Sequence, residues 1–269
     1  MSATSRESYA GLRARLDQRR ASRGLASLPA ELFAAAEVIG SDSQLRSALS
    51  DSGQPEGARA ELVSVLFGGR VSADAVEVLA DTATQRWPSP AELLDAVEGL
   101  ASQAAFLVAE RAGRLDRVED ELFGFARAVS SSADLQMALS DPSVAAPVKS
   151  ALVADLLAGR AADETVQVLA YGMSHLRGRR ADAVVEDLMD LAAEQRDRSV
   201  AEVRVALDLD DSQRRRLAAA LSTLHGREVR LNVAVDPDVI GGVSVRLGNE
   251  VIDGTVASRI EQARRSLVG

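Results

Sequence analysis

Along most of the chain, apolar residues recur at three- and four-residue intervals, the spacing that lines one face of an α-helix. The pattern predicts helices at residues 101–111, 115–129, 135–139, 148–157, 164–176 and 181–195, with Gly, Pro, Ser and Asp gathered in the short connections. A similar set precedes them. Trp87-Pro88-Ser89-Pro90 ends that earlier set, and Ala91 opens a long helix, through about residue 112, that serves both. Past residue 199 the period falls to two. Val203, Val205, Leu207 and Leu209 alternate with Arg204, Ala206 and Asp208 as in a half-buried strand. A helix follows, capped by Asp210 or Asp211, carrying Leu217, Leu221 and Leu224 on one face and ending at Gly226. Val229, Leu231, Val233 and Val235 predict a second strand, Asp236-Pro237-Asp238 a turn, and Val243, Val245 and Leu247 a third strand. Gly248-Asn249 predicts a hairpin turn into a short strand at Val251-Ile252. Asp253-Gly254-Thr255 then leads into a last helix with Val256, Ile260, Ala263 and Leu267 on one face.

The two helical sets are copies of one another. Residues 32–80 align without gaps to 122–170, a shift of roughly 90 with about a third of positions identical. Ala48-Leu49-Ser50-Asp51 pairs with Ala138-Leu139-Ser140-Asp141, Leu62-Val63 with Leu152-Val153, Gly69-Arg70 with Gly159-Arg160, and Val78-Leu79-Ala80 with Val168-Leu169-Ala170. Each matched Asp is expected to end a short helix and cap the next. The predicted fold class is therefore mainly α: a duplicated N-terminal helical bundle followed by a small α+β C-terminal domain in the order strand, helix, three strands, helix. The expected domains are 1–90, 91–199 and 200–269.

Composition narrows the chemistry. With 46% hydrophobic but only 3% aromatic residues, the core must be built from Ala, Leu and Val, the stock of packed helices. The absence of cysteine removes disulfides, zinc–thiolate sites and thiol catalysis. A net charge of −9 argues against nucleic acid as the main partner. Arg177–Arg180 and Arg214–Arg216 accordingly read as solvated surface. Lys149 is the only lysine among 31 basic side chains, which reads as GC-rich coding bias. No run approaches the ~18–20 apolar residues of a membrane span. The Arg-rich segment 5–23 includes Glu7 and Asp17 and reads as an amphipathic helix rather than a transit peptide. His175 and His225 fall in different predicted domains without ligand-spaced partners, and there is no Gly-x-Ser-x-Gly elbow, Walker loop or Gly-x-x-Gly RNA loop. Neither catalysis nor a cofactor is expected.

One long segment is more specific. Residues 235–260 run through an acidic turn at Asp236, an apolar residue before Gly241-Gly242, alternating apolar residues, then Asp253-Gly254 and a helix bearing Arg259 beside Ile260. This closely resembles the C-terminal signature of the ATP synthase delta subunit family, which includes the mitochondrial oligomycin-sensitivity-conferring protein. The likeness extends over roughly residues 91–267, where Ala104-Ala105-Phe106 is similar to the family's first-helix pattern. It implies a non-catalytic peripheral-stalk subunit of an F-type ATP synthase on the cytoplasmic face of the plasma membrane, touching the membrane only through the complex. The implied partners are the N-terminal helix of an alpha subunit, the end of the b subunits, which the C-terminal domain engages, and other subunits of the catalytic head. The alpha helix would enter an apolar groove between the first and fifth bundle helices, with Ala105, Val108, Val168, Leu169 and Gly172 as the candidate lining. The signature residues themselves read as structural, the glycines supplying backbone freedom and Asp253-Gly254 a tight turn. The family's usual single bundle is here preceded by an extra copy, and Tyr9-Ala10 fits the family's start better than Ala101-Ser102 does. The second copy, which leads into the C-terminal domain, is the preferred seat for the alpha helix. Two rival classes are a helical-repeat adaptor outside ATP synthase, which accounts for the duplication but not the signature, and an RNA-binding regulator.

Overall fold

The computed structural model describes residues 3–197, 200–225, 229–236, 239, 241–247 and 250–253. They fall into two compact units, Met1–Ala192 and Ala193–Gly269. The first is wholly helical: α1 (Ala3–Gln18), α2 (Leu28–Ser41), α3 (Ser43–Ser50), α4 (Glu56–Phe67), α5 (Ala73–Thr84), α6 (Pro90–Arg111), α7 (Leu115–Ser131), α8 (Ala133–Ser140), α9 (Ala146–Leu157), α10 (Asp163–Ser174) and the start of α11 (Ala181–Asp197). Both sequence copies lie inside this one unit rather than as separate beads.

The duplication is visible helix by helix. Positions 90 residues apart pair α2 with α7, α3 with α8, α4 with α9 and α5 with α10, while α6 is the sixth helix of the first copy and the first of the second. Local devices repeat as well. Glu31 on α2 accepts hydrogen bonds from the backbone N–H and hydroxyl of Ser72, just before α5. The matched Glu121 on α7 accepts from the Ala162 N–H at 2.9 Å and from the Thr165 hydroxyl at 2.5 Å, at the start of α10. Each carboxylate thus satisfies donors left over at a helix N-terminus. Gly69 and Gly159 both take left-handed backbone, φ 73° and 68°, where α4 and α9 give way to the next helix.

The sequence expectation for the matched aspartates needs correcting. Asp51 and Asp141 do not cap α4 and α9: each accepts a hydrogen bond from the backbone two residues on, Gly53 at 2.9 Å and Ser143 at 2.8 Å. A short Asx turn satisfies the carboxylate before the next helix begins. The caps of the short helices sit one helix earlier, Asp42 for α3 and Ser132 for α8.

At the centre lies α6, whose residues Leu100 to Leu107 are all buried. A helix covered on every side must be small and apolar throughout, which the run of alanines provides. Its one amide, Gln103, is matched by α1: Arg13 Nε donates to Gln103 Oε1 at 3.2 Å, and Gln103 Nε2 donates to the Arg13 carbonyl at 3.3 Å. Gly99 leaves room for the Tyr9 ring of α1, whose hydroxyl end lies where a Cβ would stand.

The second unit contains β1 (Val200–Val205), α12 (Asp211–His225), β2 (Arg230–Val235), β3 (Val243–Leu247) and β4 (Glu250–Asp253). The sheet order is β2-β1-β3-β4, with β1 parallel to β2 and antiparallel to β3. The parallel pair needs the crossover that α12 makes. A reciprocal box fixes the start of α12: Asp210 Oδ1 accepts from the Gln213 N–H at 2.8 Å, and Gln213 Oε1 accepts from the Asp210 N–H at 2.9 Å.

Two of the strand and helix expectations shift. β1 stops at Val205 and leaves Leu207 81% exposed, because the Val205 carbonyl already accepts from the Asp236 N–H as the chain beside it turns away. On α12, Leu221 is buried but Leu224, one turn on, is 67% exposed. Gly226, the Gly248-Asn249 turn and the predicted last helix lie outside the described residues.

Candidate functional site

The first and fifth helices of each copy form a seam, so the molecule offers the same site twice, as α1 with α5 and as α6 with α10. The two are in opposite states. Over α6 and α10 lies α2, which packs along α6 and sets the Phe33 ring on Tyr171 of α10, centroids 4.4 Å apart. Tyr171 in turn stacks on His175 at 4.2 Å. Beneath the rings, the Tyr171 hydroxyl donates to Glu98 Oε1 at 3.1 Å, and Arg177 Nη2 donates to Glu98 Oε2 at 2.5 Å and to Asp95 Oδ1 at 2.6 Å. Arg177 reaches both acids from a left-handed backbone, φ 49°, past the end of α10. Burial pushes the Glu98 carboxyl up to about 7, with Arg177 and Tyr171 opposing and Asp95 adding to the rise. Burial and the neighbouring Glu98 likewise hold the Tyr171 phenol above its ordinary range.

The candidate lining drawn from sequence falls mostly inside this closed seam. Ala105 and Leu169 have no exposed surface and Val168 only 1%, whereas Val108 and Gly172 are half-buried. Gly172 is the contact point of α11: a Cβ there would meet Val184 at 3.1 Å and Leu188 at 3.5 Å. Val168 and Leu169 lie on α10, which packs on α6, α7, α8 and α9 of its own copy, and their matches Val78 and Leu79 are buried as well; Ala105 lies on α6, against which α1 and α2 pack, and Gly172 meets α11.

The seam of α1 and α5 has a hollow at one end, beside α1 and past the end of α5. It is bordered by Glu7, Ser8, Gly11, Leu12 and Arg15 of α1 and by Gln85. Gly11 faces empty space, and Leu12 forms the apolar floor at 4% exposure. Arg15 pairs with Asp81 at 3.2 Å, and Arg19 with Asp74 at 3.1 Å and Glu77 at 2.7 Å, so ion pairs hold the two helices together without filling the hollow.

Of the signature residues, Gly241 and Gly242 adopt left-handed backbone, φ 67° and 83°, between β2 and β3, the requirement that explains the pair. Asp236 follows β2 and lies 3.9 Å from Arg204. Asp253 pairs with Ser244 at the end of β4. Gly254, Arg259 and Ile260 lie outside the described residues. Among the described residues, no group of three His, Asp or Glu side chains is placed to hold a metal ion.

The sequence profile described as "ATP synthase delta (OSCP) subunit" matches residues 101–267. The chain belongs to this family. Proteins named ATP synthase subunit delta are similar over both copies as well: that of Streptomyces griseus is 41% identical over 100% of each chain, and that of Streptomyces avermitilis 43% identical over 98% of this chain and 97% of its own. The protein of that name from Nocardia farcinica is 42% identical over 90% of each. The extra N-terminal copy is therefore shared with other delta subunits. A chain in a structure of the Toxoplasma gondii mitochondrial ATP synthase hexamer is similar at 19% identity, covering 64% of this chain and 97% of that one, with a TM-score of 0.34; the likeness adds nothing to the assignment. As a delta subunit the protein is a component of the peripheral stalk of ATP synthase. No described helix is long and apolar enough to cross a membrane.

Phe33, Tyr171 and Glu98 were not singled out by sequence reasoning, and Arg177, read there as solvated surface, instead pairs with Glu98 and Asp95 at the covered seam. Phe33 and Tyr171 are aromatic in a chain that has only 3% aromatic residues, and that scarcity was the one available signal.

Proposed function

We propose that the chain is a non-catalytic connector that receives the amphipathic N-terminal helix of an alpha subunit in the α1–α5 seam of its first copy, while its C-terminal unit engages the end of the b subunits at the cytoplasmic face of the membrane. The carrying observation is that the equivalent α6–α10 seam is already covered by α2, whereas the α1–α5 seam has a hollow floored by Leu12. Helix-in-groove recognition needs an apolar floor and a polar rim, and Leu12 with Glu7, Ser8, Arg15 and Gln85 has that make-up. The connector resists torque through rigid helical packing. Its motif inventory offers no phosphate cradle that would make it an enzyme.

The test is calorimetric titration of the full chain with a peptide of the alpha-subunit N-terminus from the same organism. Saturable one-to-one binding is expected, weakened at least ~tenfold by Gly11→Trp, which fills the hollow, and unchanged by Gly124→Trp on the exposed side of α7. Binding that ignores Gly11→Trp would place the alpha helix elsewhere. No binding at all would favour an adaptor outside this contact.

A further inference from the structure

Where α2 of the first copy covers the second, the joint is built from residues that the repeat does not share. Tyr171, His175 and Arg177 stand where the first copy has Asp81, Gln85 and Trp87. Trp87 turns back on its own α5 and donates to the Thr82 carbonyl at 2.8 Å, whereas Arg177 leaves the end of α10 and reaches across to Asp95 and Glu98 on α6. Among the described residues Arg177 is the one non-glycine with left-handed backbone, a conformation that its two carboxylate contacts hold in place.

The charges at this joint do not balance. Two carboxylates share one guanidinium, because the next cation, Arg179, pairs with Asp187 of α11. Asp95 has 42% of its side chain exposed and is served by water. Glu98 has only 17% and lies beneath the Tyr171 ring on which Phe33 of α2 stacks. The surplus negative charge therefore falls on the carboxylate that water reaches least. The other helices packed on α6 bring nothing that neutralises it. α2 carries the exposed Glu37, and α1 sets the uncharged Tyr9 ring against Gly99. Arg46 of α3 is engaged by the Ile39 and Gly40 carbonyls, and Asp81 of α5 by Arg15. His175 holds its Nδ1 at the Ser174 hydroxyl and the Tyr171 carbonyl.

Such a carboxylate is relieved either by binding a proton or by opening its cover to water. We infer that Glu98, sharing Arg177 with Asp95 beneath the Phe33–Tyr171 stack, is a proton-operated latch: protonated, it keeps α2 closed over α6 and α10, and on losing the proton it lets α2 lift. The direction follows from linkage. Burial lets the closed joint keep the Glu98 proton up to about pH 7, while a carboxyl open to water releases it near 4.5. Opening therefore grows as pH rises between those values and levels off above. The latch makes the stiffness between the two copies depend on pH, and it holds wherever the alpha helix binds.

The natural absence of cysteine makes the test direct. Leu94 on α6 is 4% exposed and faces Gly40 of α2, so a thiol there is reached when α2 lifts. Leu94→Cys is labelled with a maleimide in the full chain at pH 6 and pH 8. Each rate is divided by that of the urea-unfolded chain at the same pH, which removes the thiol's own ionisation. The corrected rate is expected to rise ~tenfold from pH 6 to pH 8, and to stay level when Glu98→Gln is added. Val153→Cys, buried on α9, reports opening of the whole unit and is expected to label more slowly than Leu94→Cys at both pH values. Equal rates at the two sites overturn the latch, because α2 would then leave only when the unit unfolds. A corrected rate that ignores pH overturns it too, as does a rise that survives Glu98→Gln. If Leu94→Cys does not fold, Ala36→Cys, 1% exposed on α2, carries the thiol in the same experiment.

Discussion

The two copies within the helical unit share sequence, helix order and even the glutamate that anchors the fifth helix, yet they differ in what surrounds them. The first copy is packed on its outer face by α6 and leaves a hollow at one end of its first–fifth seam. The second has its seam covered by α2 and leaves its outer face bare at Phe123. Duplication therefore did not give two equal binding modules. It gave one module that spends a face covering its neighbour's seam, and the remaining open surfaces are complementary in kind.

Truncating the matched phenylalanines breaks this comparison most sharply. Phe33→Ala should cost ~3 kcal/mol in urea unfolding because it empties a packed site between α2 and α10. Phe123→Ala should cost less than ~0.5 kcal/mol in the isolated chain, there being little burial to lose. Equal costs would mean that the copies are alike after all.

The covered seam should also make stability depend on pH. Glu98 titrates at about 7 in the folded chain, above its ordinary 4.5, so between those values the folded state holds a proton that the unfolded state has released. Stability should then fall as pH rises from about 4.5 to about 7 and level off above, by on the order of 3 kcal/mol in all. Glu98→Gln, neutral throughout, should flatten that slope. A slope unchanged in the variant would show that the Arg177 pair keeps Glu98 ionised in the fold.

Smaller effects test what the copies have in common. Glu31→Ala and Glu121→Ala each remove a carboxylate that serves the start of a fifth helix and should each cost ~1–2 kcal/mol, read from thermal melts. Gly69→Ala and Gly159→Ala should each cost ~1 kcal/mol, since both hold left-handed backbone in open space. Similar values within each pair would confirm that local structure is duplicated even where the surroundings are not.

Much of this was legible in the chain. Apolar periodicity predicted the helices and the mixed C-terminal unit, because the spacing of buried positions is a local property. The repeat and the residue 235–260 signature led to the family, and the left-handed Gly241 and Gly242 account for part of that motif. The matched aspartates misled, because an acid after a short helix can serve either an Asx turn or the next cap, and only the connection length decides.

What sequence alone could not give was which face each helix shows to which neighbour. Ala105, Val168 and Leu169 have the spacing of a groove and of a core alike; Ala105 is interior on α6, against which the distant α1 and α2 pack, and Val168 and Leu169 are interior on α10, which packs on α6, α7, α8 and α9. Periodicity states that a face is apolar and not what covers it. Phe33 and Phe123 are the plainest case: an identical residue in a matched helix, buried in one copy and exposed in the other, because burial is settled by the other helices that reach the site.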